Sequence, residues 1–125
     1  MTKGKVLVLG SNATRIEVQG GGTGPTGNYL NETVVPAMAL IEAGYHLVLA
    51  TPNGTKPYID EASDSVVHFG GDQAAYSSAK DFWAKDPAMN QVHTLRSVIK
   101  EGLEQLTKTY TYGIVLLTDP GRLRV

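Results

Sequence analysis

The sequence predicts an α/β fold, in which helices pack on both faces of a mostly parallel β-sheet. Three continuous apolar runs support this prediction, because strands that are buried on both faces of a parallel sheet have such runs. These runs cover residues 5–10, 45–50 and 112–117. A helical pattern separates the first two runs, so they form a βαβ unit with parallel strands. The expected architecture is a three-layer flavodoxin-like or Rossmann-like sheet.

The first strand, residues 5–10, leads into a long loop and then a helix. Residues 11–27 are rich in glycine, serine, asparagine and threonine, which predicts the loop. The helix is indicated by apolar residues at spacings of three and four, namely Leu30, Val34, Val35, Met38 and Ile41. Gly44 is placed to end this helix. Pro36 predicts either a kink in the helix or a helix start close to it.

The middle of the chain has weaker patterns. Residues 55–71 contain turn-forming residues and short apolar pairs, which favour a hairpin or an excursion from the sheet. Residues 72–85 have a helical pattern, and Pro87 marks a break and the start of a second helical piece that runs to about His93. The sequence over residues 98–106 predicts another short helix before the third strand.

Length and composition are those of one globular domain over residues 1–125. The formal net charge of −1 excludes a strongly basic surface, so we expect neither nucleic acid nor an acidic membrane as a partner. The apolar runs are far shorter than the roughly 20 residues that span a bilayer, and no signal-peptide pattern is present, which favours a cytoplasmic location. The sequence contains no cysteine, which excludes disulfides and thiolate metal sites within it.

The glycine-rich stretch raises the question of a nucleotide site. Gly22, Gly24 and Gly27 fit the pattern G-x-G-x-x-G of dinucleotide-binding loops. In those loops the first glycine follows the strand directly, whereas here the strand ends at Gly10. The second strand also lacks the acidic residue that binds ribose, since it ends in Ala50 and a threonine. The context therefore argues against a nucleotide and favours a surface loop.

A different pattern begins at the end of these glycines. The segment Thr26-Gly-Asn-Tyr-Leu-Asn-Glu-Thr-Val-Val-Pro36 resembles the T-G-x-[hydrophobic]-L-x-E-x-x-x-P segment of the ThiJ/PfpI family. The similarity is to its chaperone and glyoxalase branch, within the class I glutamine amidotransferase-like superfamily. Residues 43–54 look like the family's helix end and second strand, and residues 57–63 look like its P-x-D-P-x-S turn. Residues 82–95 look like the stretch that leads to the family's third main strand. The resemblance thus extends over residues 5–117.

The resemblance implies a role for Glu32. At this position the family has a glutamate that lies beside a cysteine nucleophile and takes part in proton transfer to the substrate. The implied activity is glutathione-independent conversion of methylglyoxal, an α-oxoaldehyde, to lactate, with related deglycase, amidase, peptidase or chaperone roles. It implies no cofactor. From the residues alone, the favoured interpretation of Glu32 is an ordinary acidic residue that the dipole of a helix N-terminus stabilises.

The sequence departs from the family after the third strand. Relatives have a Pro-Gly-Gly-His-like turn there, whereas this sequence reads Thr-Asp-Pro-Gly-Arg over residues 118–122. The cysteine and its histidine partner lie in a second half of the longer relatives. We therefore expect a truncated, N-terminal half of the domain that is inactive alone and self-associates through an open strand edge. Either a shortened expression product or a shifted reading frame would give this ending.

The sequence also allows a function of another class. A non-enzymatic α/β module, which binds a small ligand or a protein partner at the carboxyl ends of the strands, is the alternative. A metal site on His46, His68 and His93 is not expected, because zinc needs three or four convergent ligands and these histidines are widely spaced. The acidic residues near Asp60 are expected to form a solvated loop.

Overall fold

The computed structural model describes residues 4–106 and 112–116, with side chains described for residues 4–100. Within these ranges the chain forms strands, α-helices and two short 3₁₀ turns. In chain order these elements are β1 (Lys5–Leu9), β2 (Arg15–Glu17), β3 (Thr23–Pro25), α1 (Leu30–Glu42), β4 (His46–Thr51), the 3₁₀ turns Glu61–Ser63 and Val66–Phe69, α2 (Gln73–Lys85), α3 (Pro87–Asn90), β5 (Val92–Thr94), α4 (Leu95–Leu106) and β6 (Tyr112–Leu116).

The main sheet has the strand order β5-β4-β1-β6, and its strands are parallel. Strand β1 is central, with Leu7 paired to Val48 on one side and to Ile114 on the other. The predicted α/β fold of the flavodoxin-like type, with the first strand between the two other apolar strands, is therefore confirmed. The chain runs outward from β1 to β4 and β5 and then crosses to β6, so the strand order reverses between β1 and β6.

The core is divided between the two faces of the sheet. Strand side chains alternate between the faces, because a β-strand has a period of two. On one face, Val8 and Leu49 pack with Ala37 of α1 and Met89 of α3. The opposite face forms a second cluster from Leu7, Val48, Ala50 and Val98, the last of these from α4. Helices therefore lie on both faces and complete the three layers.

The first helix follows its predicted pattern with one correction. Helix α1 ends at Glu42, and Gly44 follows with a φ of 100°, as expected for a glycine that ends a helix. Pro36 lies inside the helix, which already begins at Leu30. The alternative of a helix start close to Pro36 is therefore wrong. The exposed position of Pro36 keeps its ring out of the core.

Two predicted segments change in the structure, and a third takes the second of its two predicted forms. The expected loop over residues 11–27 contains the antiparallel pair β2 and β3. Residues 55–71 form an excursion with two 3₁₀ turns and no hairpin. The second helical piece ends at Asn90, and His93 lies in β5 instead, because residues 92–94 pair with Leu49–Thr51 at the edge of the sheet. Pairing with β4 therefore overrides the helical pattern of this short segment.

Candidate active site

Ligands of open α/β sheets bind outside the carboxyl ends of the strands, where the strand order reverses. In this chain that point lies beyond the ends of β1 and β6. The turn after β1 and the start of α1 border it from the described residues. The geometry of these two segments therefore defines the candidate site.

Gly10 fixes the turn that leaves β1. Its N–H donates to the carbonyl oxygen of Ala50 at 2.9 Å, which continues the pairing with β4. A Cβ atom built on Gly10 would lie 2.6 Å from Cγ of Pro57. A larger residue would therefore collide with the rigid proline ring. The segment that contains Pro57 thus packs directly against the end of β1.

Asn28 connects this turn to the start of α1. Its side chain is buried, with 1% exposure, and its Oδ1 accepts the Ser11 N–H at 3.2 Å. Its Nδ2 donates to the carbonyl oxygens of Ser11 at 3.1 Å and Tyr58 at 3.0 Å. One asparagine thus joins the end of β1, the entry to α1 and the segment after β4, and it holds them in a fixed arrangement.

A second polar network joins the ends of β1 and β4. Asn12 Oδ1 accepts the Asn53 N–H at 2.9 Å, and its Nδ2 donates to Thr55 Oγ1 at 3.1 Å. Thr51 Oγ1, which is fully buried, donates to the Thr55 carbonyl oxygen at 2.8 Å. These bonds fold residues 51–55 against the turn after β1 and close the site on that side.

Glu32 lies in the first turn of α1, and its side chain is exposed. Because α1 begins two residues after Asn28, this turn lies at the carboxyl-end edge of the sheet. The neighbouring Thr33 and Val34 are buried. Beside this turn, the ring of Tyr29 packs edge-on against His68, with 5.3 Å between the ring centroids. The arrangement presents a solvent-facing carboxylate at a helix N-terminus, where the helix dipole stabilises negative charge.

The glycines of the G-x-G-x-x-G pattern do not form a phosphate loop. Gly22 has a φ of 77° and lies at the exposed tip of the β2–β3 hairpin, and Gly24 belongs to β3. Gly27 is buried against the segment after β4, where a Cβ would lie 2.5 Å from the Asp60 backbone nitrogen. Gly22 therefore serves a turn, and Gly27 allows a close approach of two backbone segments. Both roles agree with the argument against a nucleotide.

The three histidines lie on separate elements. His46 begins β4, His68 lies in the second 3₁₀ turn and His93 lies in β5. Among residues 4–106 and 112–116, no group of three or more histidine, aspartate or glutamate side chains could hold a metal ion. In the same ranges, none of the helices combines the length and apolarity needed to cross a bilayer.

The acidic residues after β4 have structural partners. Asp60 caps the first 3₁₀ turn by accepting the Ala62 N–H at 2.9 Å. Glu61 accepts the Tyr58 hydroxyl at 3.2 Å, and its charge raises the pKa of that phenol. Asp64 accepts the Tyr76 hydroxyl at 2.6 Å, which raises the pKa of Tyr76. These carboxylates therefore organise the excursion over residues 55–71.

Sequence reasoning missed several residues that shape the site. Asn28 lies directly after Gly27 in the segment over residues 26–36, and a short amide beside a glycine is a common backbone clamp. Ser63 is fully buried, and its Oγ accepts the Leu30 N–H at 2.9 Å. Ser63 and Leu30 are 33 positions apart, so no local sequence pattern links them.

Comparisons with known proteins identify a structural neighbour. No protein-family model matches the chain, and no curated protein matches it either. The crystal structure of glyoxalase III from Candida albicans is similar, with a TM-score of 0.54 and 20% sequence identity. The match covers 71% of this chain and 36% of the Candida chain, so this chain spans well under half of that protein. At this identity the likeness establishes a shared fold.

Proposed function

We propose that this chain is the glutamate-bearing part of a ThiJ/PfpI-type catalytic domain of the glyoxalase branch. Its Glu32 acts as the acid/base group, and the substrate is a small α-oxoaldehyde such as methylglyoxal. The observation that carries the proposal is the exposed Glu32 side chain in the first turn of α1, the helix that Asn28 joins to the end of the central strand β1. The motif around Glu32 and the fold shared with glyoxalase III support it.

The reaction needs a proton carrier at this place. Conversion of methylglyoxal to lactate moves a proton from the aldehyde carbon to the neighbouring carbonyl carbon and adds water. A carboxylate on a helix that is fixed to the sheet can accept and return that proton, and such catalysis contributes typically 10²–10⁴-fold. Asn28 serves this chemistry by fixing the start of α1 relative to the end of β1.

The nucleophile must come from outside these residues. The family chemistry uses a thiolate, and this sequence contains no cysteine. We propose that the 125 residues alone are inactive and that a complete site needs a second segment with a cysteine on a sharp strand-to-helix turn. The other implied roles, namely deglycase, peptidase and chaperone activity, and the cytoplasmic location stay predictions.

The test begins with the coding sequence after codon 117. The proposal expects one reading frame there to encode a Pro-Gly-Gly-like turn and then a cysteine elbow. The correspondingly extended protein should consume methylglyoxal without glutathione, and Glu32→Gln should abolish this activity. Glu42→Gln, an exposed glutamate in the last turn of the same helix, is the matched control and should retain it. An active extended protein that tolerates Glu32→Gln would refute the assigned role.

A further inference from the structure

The turn after β4 contains the Asn-Gly pair of this sequence, Asn53-Gly54. Asn53 is exposed, and a glycine that follows asparagine leaves its own backbone nitrogen open to approach by the asparagine side chain, because glycine has no Cβ. The structure also requires glycine at this place. Gly54 has a φ of 82°, and a Cβ there would lie 2.9 Å from Cγ2 of Thr94. A chemically reactive pair is therefore built into the turn.

The backbone nitrogen of Gly54 is held by Thr51. Its N–H donates to Thr51 Oγ1 at 3.0 Å and to the Thr51 carbonyl oxygen at 3.3 Å. Thr51 is fully buried, and its hydroxyl proton goes to the Thr55 carbonyl oxygen, which leaves the hydroxyl oxygen directed to Gly54 as an acceptor. The Gly54 nitrogen therefore cannot lose its proton to the solvent until these bonds open.

The side chain of Asn53 is anchored as well. Its Oδ1 accepts the Thr55 N–H at 3.0 Å and the Thr55 hydroxyl at 2.7 Å. The N–H of Asn53 donates to Asn12 Oδ1 at 2.9 Å, so the backbone on the other side is fixed too. A bond between Asn53 Cγ and the Gly54 nitrogen consequently needs a local opening of the turn.

We propose that Asn53 is a deamidation site and that the Thr51 hydroxyl controls its rate. When the turn opens, hydroxide removes the Gly54 N–H proton, and the nitrogen attacks Asn53 Cγ. The bond from Cγ to the side-chain nitrogen breaks, and ammonia leaves. Water then opens the resulting succinimide ring at either carbonyl, which gives aspartate or isoaspartate at residue 53. The net reaction consumes water and releases ammonia, and no oxidant or reductant takes part.

The reaction would change the wall of the candidate site. Isoaspartate lengthens the main chain by a methylene group between residues 53 and 54, so the hydrogen bonds to Asn12 and to Thr51 can no longer be made together. Residues 51–55 would then detach from the turn after β1. This inference uses the geometry of the turn alone and does not depend on the proposed function.

The test measures aspartate and isoaspartate at residue 53 by peptide mass spectrometry during incubation of the folded chain in mildly alkaline buffer. Thr51→Val keeps the shape of the buried side chain but removes the hydroxyl acceptor. Deamidation should then be about two- to tenfold faster, the factor that one neutral hydrogen bond is worth. Hydrogen exchange of the Gly54 amide should accelerate by the same factor, because exchange needs the same opening and the same loss of a proton.

Thr33→Val is the matched control. Thr33 is also buried, and its hydroxyl donates to the Tyr29 carbonyl oxygen at 2.6 Å, away from the turn. This substitution should leave deamidation of Asn53 and exchange of Gly54 unchanged. The parent chain unfolded in guanidinium supplies the reference rate without any hydrogen bond at Gly54, and it should deamidate at Asn53 faster than the folded chain.

Each result supports or overturns the inference. Equal deamidation rates in the parent and a folded Thr51→Val variant overturn it, as does equal acceleration by Thr33→Val. If Thr51→Val does not fold, the parent decides. A Gly54 amide that exchanges as fast in the folded parent as in the unfolded chain, or equal deamidation in these two states, overturns it, whereas protection of both in the folded parent supports it.

Discussion

Gly27 lies directly against the backbone of Asp60, so that a Cβ atom at residue 27 would be 2.5 Å from the Asp60 nitrogen and 2.9 Å from its Cα. The neighbouring hydrogen bond from the Asp60 N–H to the Asn28 carbonyl oxygen, at 2.8 Å, holds the two backbone segments together. The glycine-rich approach to α1 therefore ends in a position where only a hydrogen atom fits.

Gly27→Ala should lower the free energy of unfolding by about 1–3 kcal/mol, because backbone atoms must move to admit the methyl group. Urea unfolding measures this change. Gly24→Ala is the matched control, since a Cβ there meets only a side-chain methyl group of the exposed Val18, at 3.2 Å. Equal effects of the two substitutions would contradict the close approach.

Asn28→Ala should also destabilise the chain, by about 1–3 kcal/mol, because it leaves the Ser11 N–H without its acceptor in a partly buried place. Asn31→Ala offers a sharp comparison. The Oδ1 of Asn31 is buried and has no hydrogen-bond partner, so its removal breaks no hydrogen bond of that atom and should not lower the free energy of unfolding. Chemical unfolding of both variants tests the clamp, and a small effect at residue 28 would refute it.

Lys56 gives a prediction for pH dependence. Its Nζ donates to the Trp83 carbonyl oxygen at 2.7 Å and to Asn90 Oδ1 at 2.8 Å, and it lies 4.5 Å from the centroid of the Trp83 ring. Burial lowers the pKa of this ammonium group below its ordinary value of 10.5. As the pH rises toward that value, the folded state therefore releases the proton before the unfolded state does, and folding becomes more favourable.

The stability of the parent relative to Lys56→Met should consequently increase as the pH rises toward 10.5. Lys85→Met is the control, because the hydrogen bond to Asp81 raises the pKa of Lys85 and its contribution should stay constant below 10.5. Urea unfolding of the three proteins at each pH provides the comparison. A parallel change for both lysines would argue against burial as the cause at residue 56.

The sheet was predictable because its strands are continuous apolar runs. The segments around Leu7, Val48 and Ile114 indicated parallel buried strands, and these segments pair as expected. The short strand β5 was not predictable, since three residues carry too little pattern and His93 acquires its strand conformation from pairing with β4. The 3₁₀ turns were missed because they are set by capping contacts such as those of Asp60 and Ser65.

The motif of the candidate site was predictable from the sequence, but the residues that hold it in place were not. Glu32 was found through the segment around it, and the structure places it in the first turn of α1. The residues that fix this turn, Asn28 and Ser63, act through contacts with the segment after β4. Such long-range hydrogen bonds between loops leave no periodicity in the sequence, so the sequence alone could not reveal them.

Self-association is expected at β6. Within the part of the sheet that the structure describes, β6 is an outer strand, and its sequence Tyr-Gly-Ile-Val-Leu contains neither charge nor proline. Edge strands without these protections pair readily with other chains. Size-exclusion chromatography with light scattering should therefore give a concentration-dependent mass above 13.4 kDa. Val115→Lys should reduce it, and a parent that is monomeric at every concentration would contradict the expectation.

The most direct measurement for the central claim is the loss of methylglyoxal in the presence of the 125-residue chain without glutathione. The claim is that these residues supply the acid/base group and that the nucleophile comes from elsewhere. A carboxylate transfers protons only within a substrate that the site has bound and activated, and the thiolate that would form the covalent adduct with the aldehyde is absent from this sequence. The parent, Glu32→Gln and Glu42→Gln should therefore all match the buffer rate. Turnover by the parent that disappears in Glu32→Gln and persists in Glu42→Gln would contradict the claim.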